Sequence, residues 1–234
     1  MRGATFDRIV ARLEPEFRGL APDLPGHGAA ADLTPGLDAS ARMLGGLISE
    51  PVLLVGWSMG AAVAWRYVER FGTGALAGLV TVDMSPKLVN DQGWVHGLRG
   101  QSPADVARTT AQYRNDWHGS AETVAASMFA GSDPAAQADA LWQVRANDAA
   151  GMLLAWEEMT AMDMRPVTRK IDIPWLVAYG KRSRVYPAAA SEWIAAQAPQ
   201  ATLAEFAASG HSPHLEEPEA FAERIAAFAR TLPA

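Results

Sequence analysis

Val52-Leu53-Leu54-Val55-Gly56-Trp57-Ser58-Met59-Gly60 decides how the rest of the chain is read. Its four leading apolar residues, flanked by Pro51 and Gly56, suit a strand buried on both faces of a parallel sheet. Gly56-Trp57-Ser58-Met59-Gly60 follows at once, and then an amphipathic run over about 59–71. Strand, turn and helix therefore meet at one serine. A turn tight enough to lift Ser58 above a sheet needs neighbouring positions without side chains, which Gly56 and Gly60 supply. Ser58 then opens a helix, and the backbone N–H of Met59 is placed to hold a developing oxyanion. A glycine-flanked turn with an idle serine is the bland reading, and the strand–turn–helix context argues against it.

Upstream, Phe6, Ile9, Val10 and Leu13 recur at helical spacing and predict a helix ended by Pro15. A short strand is expected at about 16–21, running into the turn-rich loop Pro22-Asp23-Leu24-Pro25-Gly26-His27-Gly28. Leu37, Leu44, Leu47 and Ile48 predict a second amphipathic helix. Downstream, an apolar strand is expected at about 76–82. From about 84 to 170 there is no convincing strand; Trp94, Tyr113, Trp117, Trp142 and Trp156 lie among helix-forming stretches. The strand pattern resumes at Pro174-Trp175-Leu176-Val177-Ala178-Tyr179. A helix at about 187–198, a strand at about 201–206 and a helix with Phe221, Ile225 and Phe228 on one face follow. This alternation implies an α/β fold, a mostly parallel sheet covered by helices. Residues 1–83 and 171–234 would form one core domain, and 84–170 a helical cap inserted between strands, over Ser58.

The 234 residues fit one domain with a substantial core. Hydrophobic residues at 49% and charged residues at 20% are a soluble globular balance. A net charge of −6 argues against nucleic acid as a partner. The apolar runs are too short to span a bilayer, so no membrane partner is expected. Met1 is not followed by a charged segment with an apolar one behind it, so no secretory signal is read and a cytoplasmic location is the default. With no cysteine, disulfide and thiolate chemistry are excluded. A monomer or homodimer is expected.

Three stretches now act together: Ala21-Pro22-Asp23-Leu24-Pro25-Gly26-His27-Gly28, Gly56 to Gly60, and Ser209-Gly210-His211 followed by Glu216, Glu217 and Pro218. With them the chain resembles the α/β-hydrolase superfamily, in its esterase, lactonase and haloperoxidase-like branch. The resemblance covers nearly the whole chain and is weak for the substrate. It implies a nucleophile at Ser58 and a base that comes last in the chain, after the final strand. Of His27, His96, His118, His211 and His214, that order selects His211. His214 is expected to line the loop or face solvent. His27 resembles the family's structural loop histidine, which bonds locally. For His96 and His118 a surface or pocket-lining role is expected.

In most relatives the acid follows the next-to-last strand in a Gly-x-x-Asp-x-x-x-Pro pattern. Here the stretch is Gly180-Lys181-Arg182-Ser183-Arg184-Val185-Tyr186-Pro187, with Ser183 at the acid's place. A serine cannot stabilise an imidazolium as a carboxylate does. Other relatives carry the acid one strand earlier, where this chain has Val82-Asp83-Met84-Ser85-Pro86. Asp83 is therefore assigned as the acid; a polar residue without a catalytic role there is the competing reading. Relatives also begin with a strand hairpin and a third strand ending in His-Gly, whose loop supplies another oxyanion N–H. Met1-Arg2-Gly3-Ala4-Thr5-Phe6-Asp7 resembles the tail of that loop. A start assigned too late, a rearranged pairing, or a piece supplied by another copy would each explain this, and the first is favoured. If the chain is complete as given, Met59 N–H is the one secure oxyanion donor.

Trp57, Trp94, Trp117 and Trp156 are the substrate-pocket candidates, alongside Met128, Met152, Met159, Met162 and Met164; for most of these, packing the cap is the weightier role. Lys181, Arg182 and Arg184 form a basic cluster suited to an anionic substrate or a phosphopantetheine-type thioester, though a solvated loop is the plainer reading. The implied reaction is hydrolysis of a small carboxylic ester, thioester or lactone through an acyl-enzyme on Ser58, with no metal or organic cofactor. Dehalogenation is disfavoured, because that branch needs a carboxylate where Ser58 stands. A perhydrolase or haloperoxidase side reaction would use the same residues. The alternative is a catalytically impaired hydrolase-fold binding or interaction protein, supported by Ser183 and by the unaccounted oxyanion loop.

Overall fold

The computed structural model describes residues 1–14, 16–131 and 133–233. Strands β1 (Val52–Trp57), β2 (Leu76–Val82), β3 (Trp175–Gly180) and β4 (Ala201–Phe206) form one parallel sheet in the order β1-β2-β3-β4. The helices are α1 (Asp7–Leu13), α2 (Leu37–Leu47), α3 (Met59–Phe71), α4 (Pro103–Asn115), α5 (Trp117–Ser127), α6 (Pro134–Arg145), α7 (Ala149–Ala161), α8 (Arg165–Thr168), α9 (Ala188–Gln197), α10 (Pro213–Glu216) and α11 (Pro218–Ala229). None of the described helices is long and apolar enough to cross a membrane.

The apolar strand runs exist because helices cover both faces. Side chains alternate across a strand. Leu79, Trp175 and Val177 enter the core shared with α2, α3, α8 and α9, while Val80, Val82, Leu176 and Ala178 enter the one shared with α1 and α11. Trp65 of α3 and Trp175 of β3 are fully buried and meet edge to face, and the Trp175 indole donates to Thr81 Oγ1 at 2.9 Å. Every residue of β3 is buried, as expected of a central parallel strand. Val52 to Val55 of β1 are instead half-buried, because β1 forms an edge of the sheet. Between β2 and β3 the chain forms α4 to α8, with no named strand among the described residues there.

The strand expected at about 16–21 does not form. A strand is stable only through its ladder, and β1 takes no partner from this segment; Leu20 is 75% exposed. The first helix ends at Leu13. Pro15, read as its stop, lies outside the described residues.

Candidate active site

Among the described residues, only Ser58 and Asp83 have positive φ without being glycine, at 50° and 45°. Each such conformation typically costs about 1–3 kcal/mol and persists where the surroundings impose it. Here the sheet imposes it. Ser58 N–H donates to Val82 O at 2.9 Å, and Asp83 N–H to Ala178 O at 2.8 Å, so each ladder runs one residue past its strand and then turns. At Gly56 a Cβ would lie 2.4 Å from Gly60 O and 2.7 Å from Ala61 N, so only glycine lets α3 start this close to β1. At Gly60 an added Cβ would meet nothing within 4 Å, so the collision expected there is absent. Met59 is the first residue of α3, and its N–H has no intrahelical acceptor. Ser58 Oγ has no hydrogen-bond partner among the described residues.

The parallel order lines up four chain segments at one end of the sheet. Ser58 follows β1, Asp83 follows β2, Ser183 follows β3 and His211 follows β4. His211 Nδ1 lies 2.6 Å from Asp83 Oδ2, with both residues at least 95% buried. A carboxylate only accepts, so Nδ1 carries the proton and Nε2 is left free. The Trp57 indole N–H donates to His211 O at 2.7 Å. Two carboxylates hold the histidine loop. Glu216 accepts from Gly210 N–H at 2.7 Å and Ala130 N–H at 2.6 Å, and Glu217 from Ala208 N–H at 3.0 Å and Ser209 Oγ at 2.5 Å. The end of β3 touches the same loop, since a Cβ at Gly180 would lie 1.8 Å from Gly210 O.

Ser183 donates to Asp83 Oδ2 at 2.7 Å, a contact that its place in the chain does not reveal. Tyr186, also unnoticed in the sequence, is buried with its ring 5.9 Å from that of His211. Burial, then the negative charge of Asp83, hold its phenol well above its ordinary range. Trp156 stacks on Tyr113 and donates to Thr110 Oγ1 at 2.8 Å, and Trp117 flanks the same tyrosine. Burial pushes the Tyr113 phenol up to about 12. Trp94 is buried against Trp193 of α9 and donates to Lys87 O. Met128, Met162 and Met164 are buried in the cores. Lys181, Arg182 and Arg184 are exposed, as the solvated-loop reading expects. Lys181 pairs with Glu205, and Arg184 donates to Phe129 O at 2.6 Å, just beyond α5. Arg2 N–H and Gly3 N–H, in the stretch resembling the oxyanion loop's tail, donate instead to Gln143 and Asp23.

His27 is buried and bonds Pro25 O, a local contact of the expected kind. His96 packs edge-on to Trp94, and His118 is exposed. His214 departs from expectation. Instead of facing solvent it is 1% exposed, stacked on Phe6 and tilted against Trp57, each ring centroid 4.5 Å away, and neither ring nitrogen has a partner. Burial, then the charge of His211, lower its pKa to about 3 from an ordinary 6.5. The folded chain therefore keeps His214 neutral. Below pH about 6.5 the unfolded chain takes up a proton that the folded chain refuses until about pH 3. Stability is lost as pH falls through that window, by about 2 kcal/mol at pH 5 from this residue. Urea titrations at pH 7 and pH 5 should show His214→Phe escaping about that much of the wild-type loss. Equal losses in the two proteins would refute the assignment.

A strained serine between strand and helix, with a buried histidine–carboxylate pair at other strand ends on the same end of the sheet, defines an α/β protein with a tight strand–turn–helix elbow. The model of the alpha/beta hydrolase family matches residues 2–224. A pimeloyl-[acyl-carrier protein] methyl ester esterase of Vibrio vulnificus is 29% identical over 98% of this chain and 90% of its own length. The enzyme of the same name from Vibrio cholerae is 30% identical over the same shares. Among solved structures, an esterase from Exiguobacterium antarcticum superimposes with a TM-score of 0.90 at 21% identity, over 98% of this chain and 88% of its own. The chain belongs to the alpha/beta hydrolase family.

Proposed function

We propose that this chain is a serine hydrolase that cleaves a small carboxylic ester, thioester or lactone through an acyl-enzyme on Ser58. The observation that carries the reading is the buried 2.6 Å contact between His211 Nδ1 and Asp83 Oδ2, on the same end of the sheet as the strained turn at Ser58, although Ser58 Oγ makes no hydrogen bond to His211 among the described residues. The esterase names of the relatives support an ester as substrate; the pimeloyl-[acyl-carrier protein] methyl ester they name is a carboxylic ester, though one carried on a protein rather than a small molecule.

In this reading His211 Nε2 takes the Ser58 hydroxyl proton as Oγ attacks the carbonyl carbon. Asp83 keeps Nδ1 protonated and offsets the charge on the imidazolium. Met59 N–H receives the oxyanion. Collapse expels the alcohol or thiol with the proton from His211. Water, deprotonated by the same nitrogen, then cleaves the acyl-serine and frees the acid. Residues 84–170 act as a cap, with Trp117 and Trp156 as its pocket-side aromatics and Trp57, at the end of β1, as a third from the core; the packing of Trp94 away on α9 counts against it. We place the enzyme in the cytoplasm, as a monomer or homodimer.

Covalent labelling tests this. A fluorophosphonate probe should modify Ser58, and the label should disappear in Ser58→Ala, alongside turnover of a chromogenic short-chain ester by the wild type. Folded wild-type protein that neither labels nor turns over would point instead to a binding protein on a hydrolase fold.

A further inference from the structure

We infer that Ser183 is a positioning residue for this reaction, its hydroxyl aimed by the backbone at the oxygen of Asp83 that holds His211. The inference rests on the reading of Ser58, His211 and Asp83 as the reacting set, and adds a member to it. Ser183 is 4% exposed and its Oγ lies 2.7 Å from Asp83 Oδ2, the oxygen that receives His211 Nδ1–H.

The direction of this hydrogen bond is determined on both sides. A carboxylate has no hydrogen to give, so Ser183 donates. The acceptor side of the hydroxyl is taken, since Val185 N–H and Tyr186 N–H both point at Oγ, at 3.2 and 3.3 Å. A hydroxyl has one hydrogen, and among the described residues the acceptor before it is Asp83. This is a serine turn of the kind that closes on the backbone two and three residues ahead.

The hydroxyl also keeps its place independently of Asp83. Ser183 N–H donates to Gly180 O at 3.0 Å, closing the turn after β3. Lys181 N–H donates to Phe206 O and Arg182 N–H to Ser209 O, both at 2.9 Å, which ties the turn to the histidine loop. On its other side Arg99 N–H donates to Val185 O at 2.8 Å. The donor is therefore fixed before any substrate arrives. A carboxylate turns easily about its terminal bond, and one held by a mobile imidazole alone would let the ring drift. With two donors on Oδ2 the carboxylate has one orientation, and His211 inherits it. The position that carries the acid in most relatives thus still serves the acid, from one strand away.

The test is steady-state kinetics on a short-chain ester with three variants, plus a cycle. Ser183→Ala and Ser183→Cys, whose thiol is a weak donor of similar size, should lower kcat about 10-fold with KM changed less than about twofold; melting falls by a few degrees because Val185 N–H and Tyr186 N–H lose their acceptor, so rates are compared well below the melt. Ser183→Thr keeps the hydroxyl and should hold kcat within about threefold of wild type. In an Asp83→Asn background Ser183→Ala should have no further effect, because the group it orients is gone. Wild-type kcat in Ser183→Ala, wild-type kcat in Ser183→Cys, or a change confined to KM would each overturn the inference. If Asp83→Asn itself turns over normally, the parent reading fails. If Asp83→Asn is inactive while Ser183→Ala is normal, only this inference fails.

Discussion

Ser58→Ala is expected to lower the turnover of a short-chain ester by about 10⁶-fold, while the protein should fold and melt as the wild type does. The size follows from what is removed. Without Oγ no acyl-enzyme forms, and His211 has no hydroxyl to deprotonate. What survives is binding and the Met59 N–H, which together retain about 10³–10⁴ over water in enzymes of this design. The fold should be indifferent. Ser58 Oγ bonds nothing among the described residues, and Ser58 N–H still donates to Val82 O when the side chain is alanine. The positive φ of 50° stays as strained for alanine as for serine, so no stability is released. Steady-state rates and a thermal melt of both proteins check this. Activity within about 100-fold of wild type would mean that another group performs the chemistry.

Asp83→Asn is expected to lower kcat by about 10⁴-fold, with KM and melting temperature close to wild type. Asparagine fills the same volume at φ 45°, a conformation it tolerates better than most residues. The loss is electronic and tautomeric. The amide can donate to His211 Nδ1, which places the imidazole proton on Nε2, where it cannot accept from Ser58. The carboxylate that offsets the imidazolium is also gone. Near-normal activity in Asp83→Asn would remove Asp83 from the mechanism. A carboxylate returned from the neighbouring strand end should restore part of the loss. Ser183 Oγ is 2.7 Å from the oxygen that meets His211, so Asp83→Asn with Ser183→Asp should exceed Asp83→Asn alone by about 10-fold or more in kcat.

Much of this arrangement is legible in the linear chain because its signals are local. Val52 to Gly60 contains an apolar run, a glycine that admits a close helix, and the helix start, all within nine residues. The strands after it carry continuous apolar runs because both faces of the sheet are covered. Asp83 could be picked out because it ends such a run. Other readings failed where a neighbour in space decides. Residues 16–21 look like a strand, but strand-forming residues without a ladder partner stay irregular. Gly60 looks as constrained as Gly56, yet only Gly56 faces the backbone of α3. Lys181, Arg182 and Arg184 are exposed, as a solvated loop should be, but their spacing does not show that Lys181 pairs with Glu205 or that Arg184 reaches Phe129 O. Nothing in the spacing of Glu216 and Glu217 shows that their carboxylates hold the histidine loop and the chain after α5.

By itself the amino-acid sequence determined the parallel α/β frame and the tight strand–turn–helix elbow at Ser58. Each of these depends on residue types within one turn or one strand, where steric and hydrophobic rules act directly. Only the tertiary structure decided that Asp83 meets His211 across 128 residues, that Ser183 meets Asp83 across 100, and that His214 lies sealed between Phe6 and Trp57. The physical reason is the sheet. Parallel pairing brings the ends of strands distant in the chain to one edge, and a hydrogen bond there depends on which strands are adjacent, which no local pattern records.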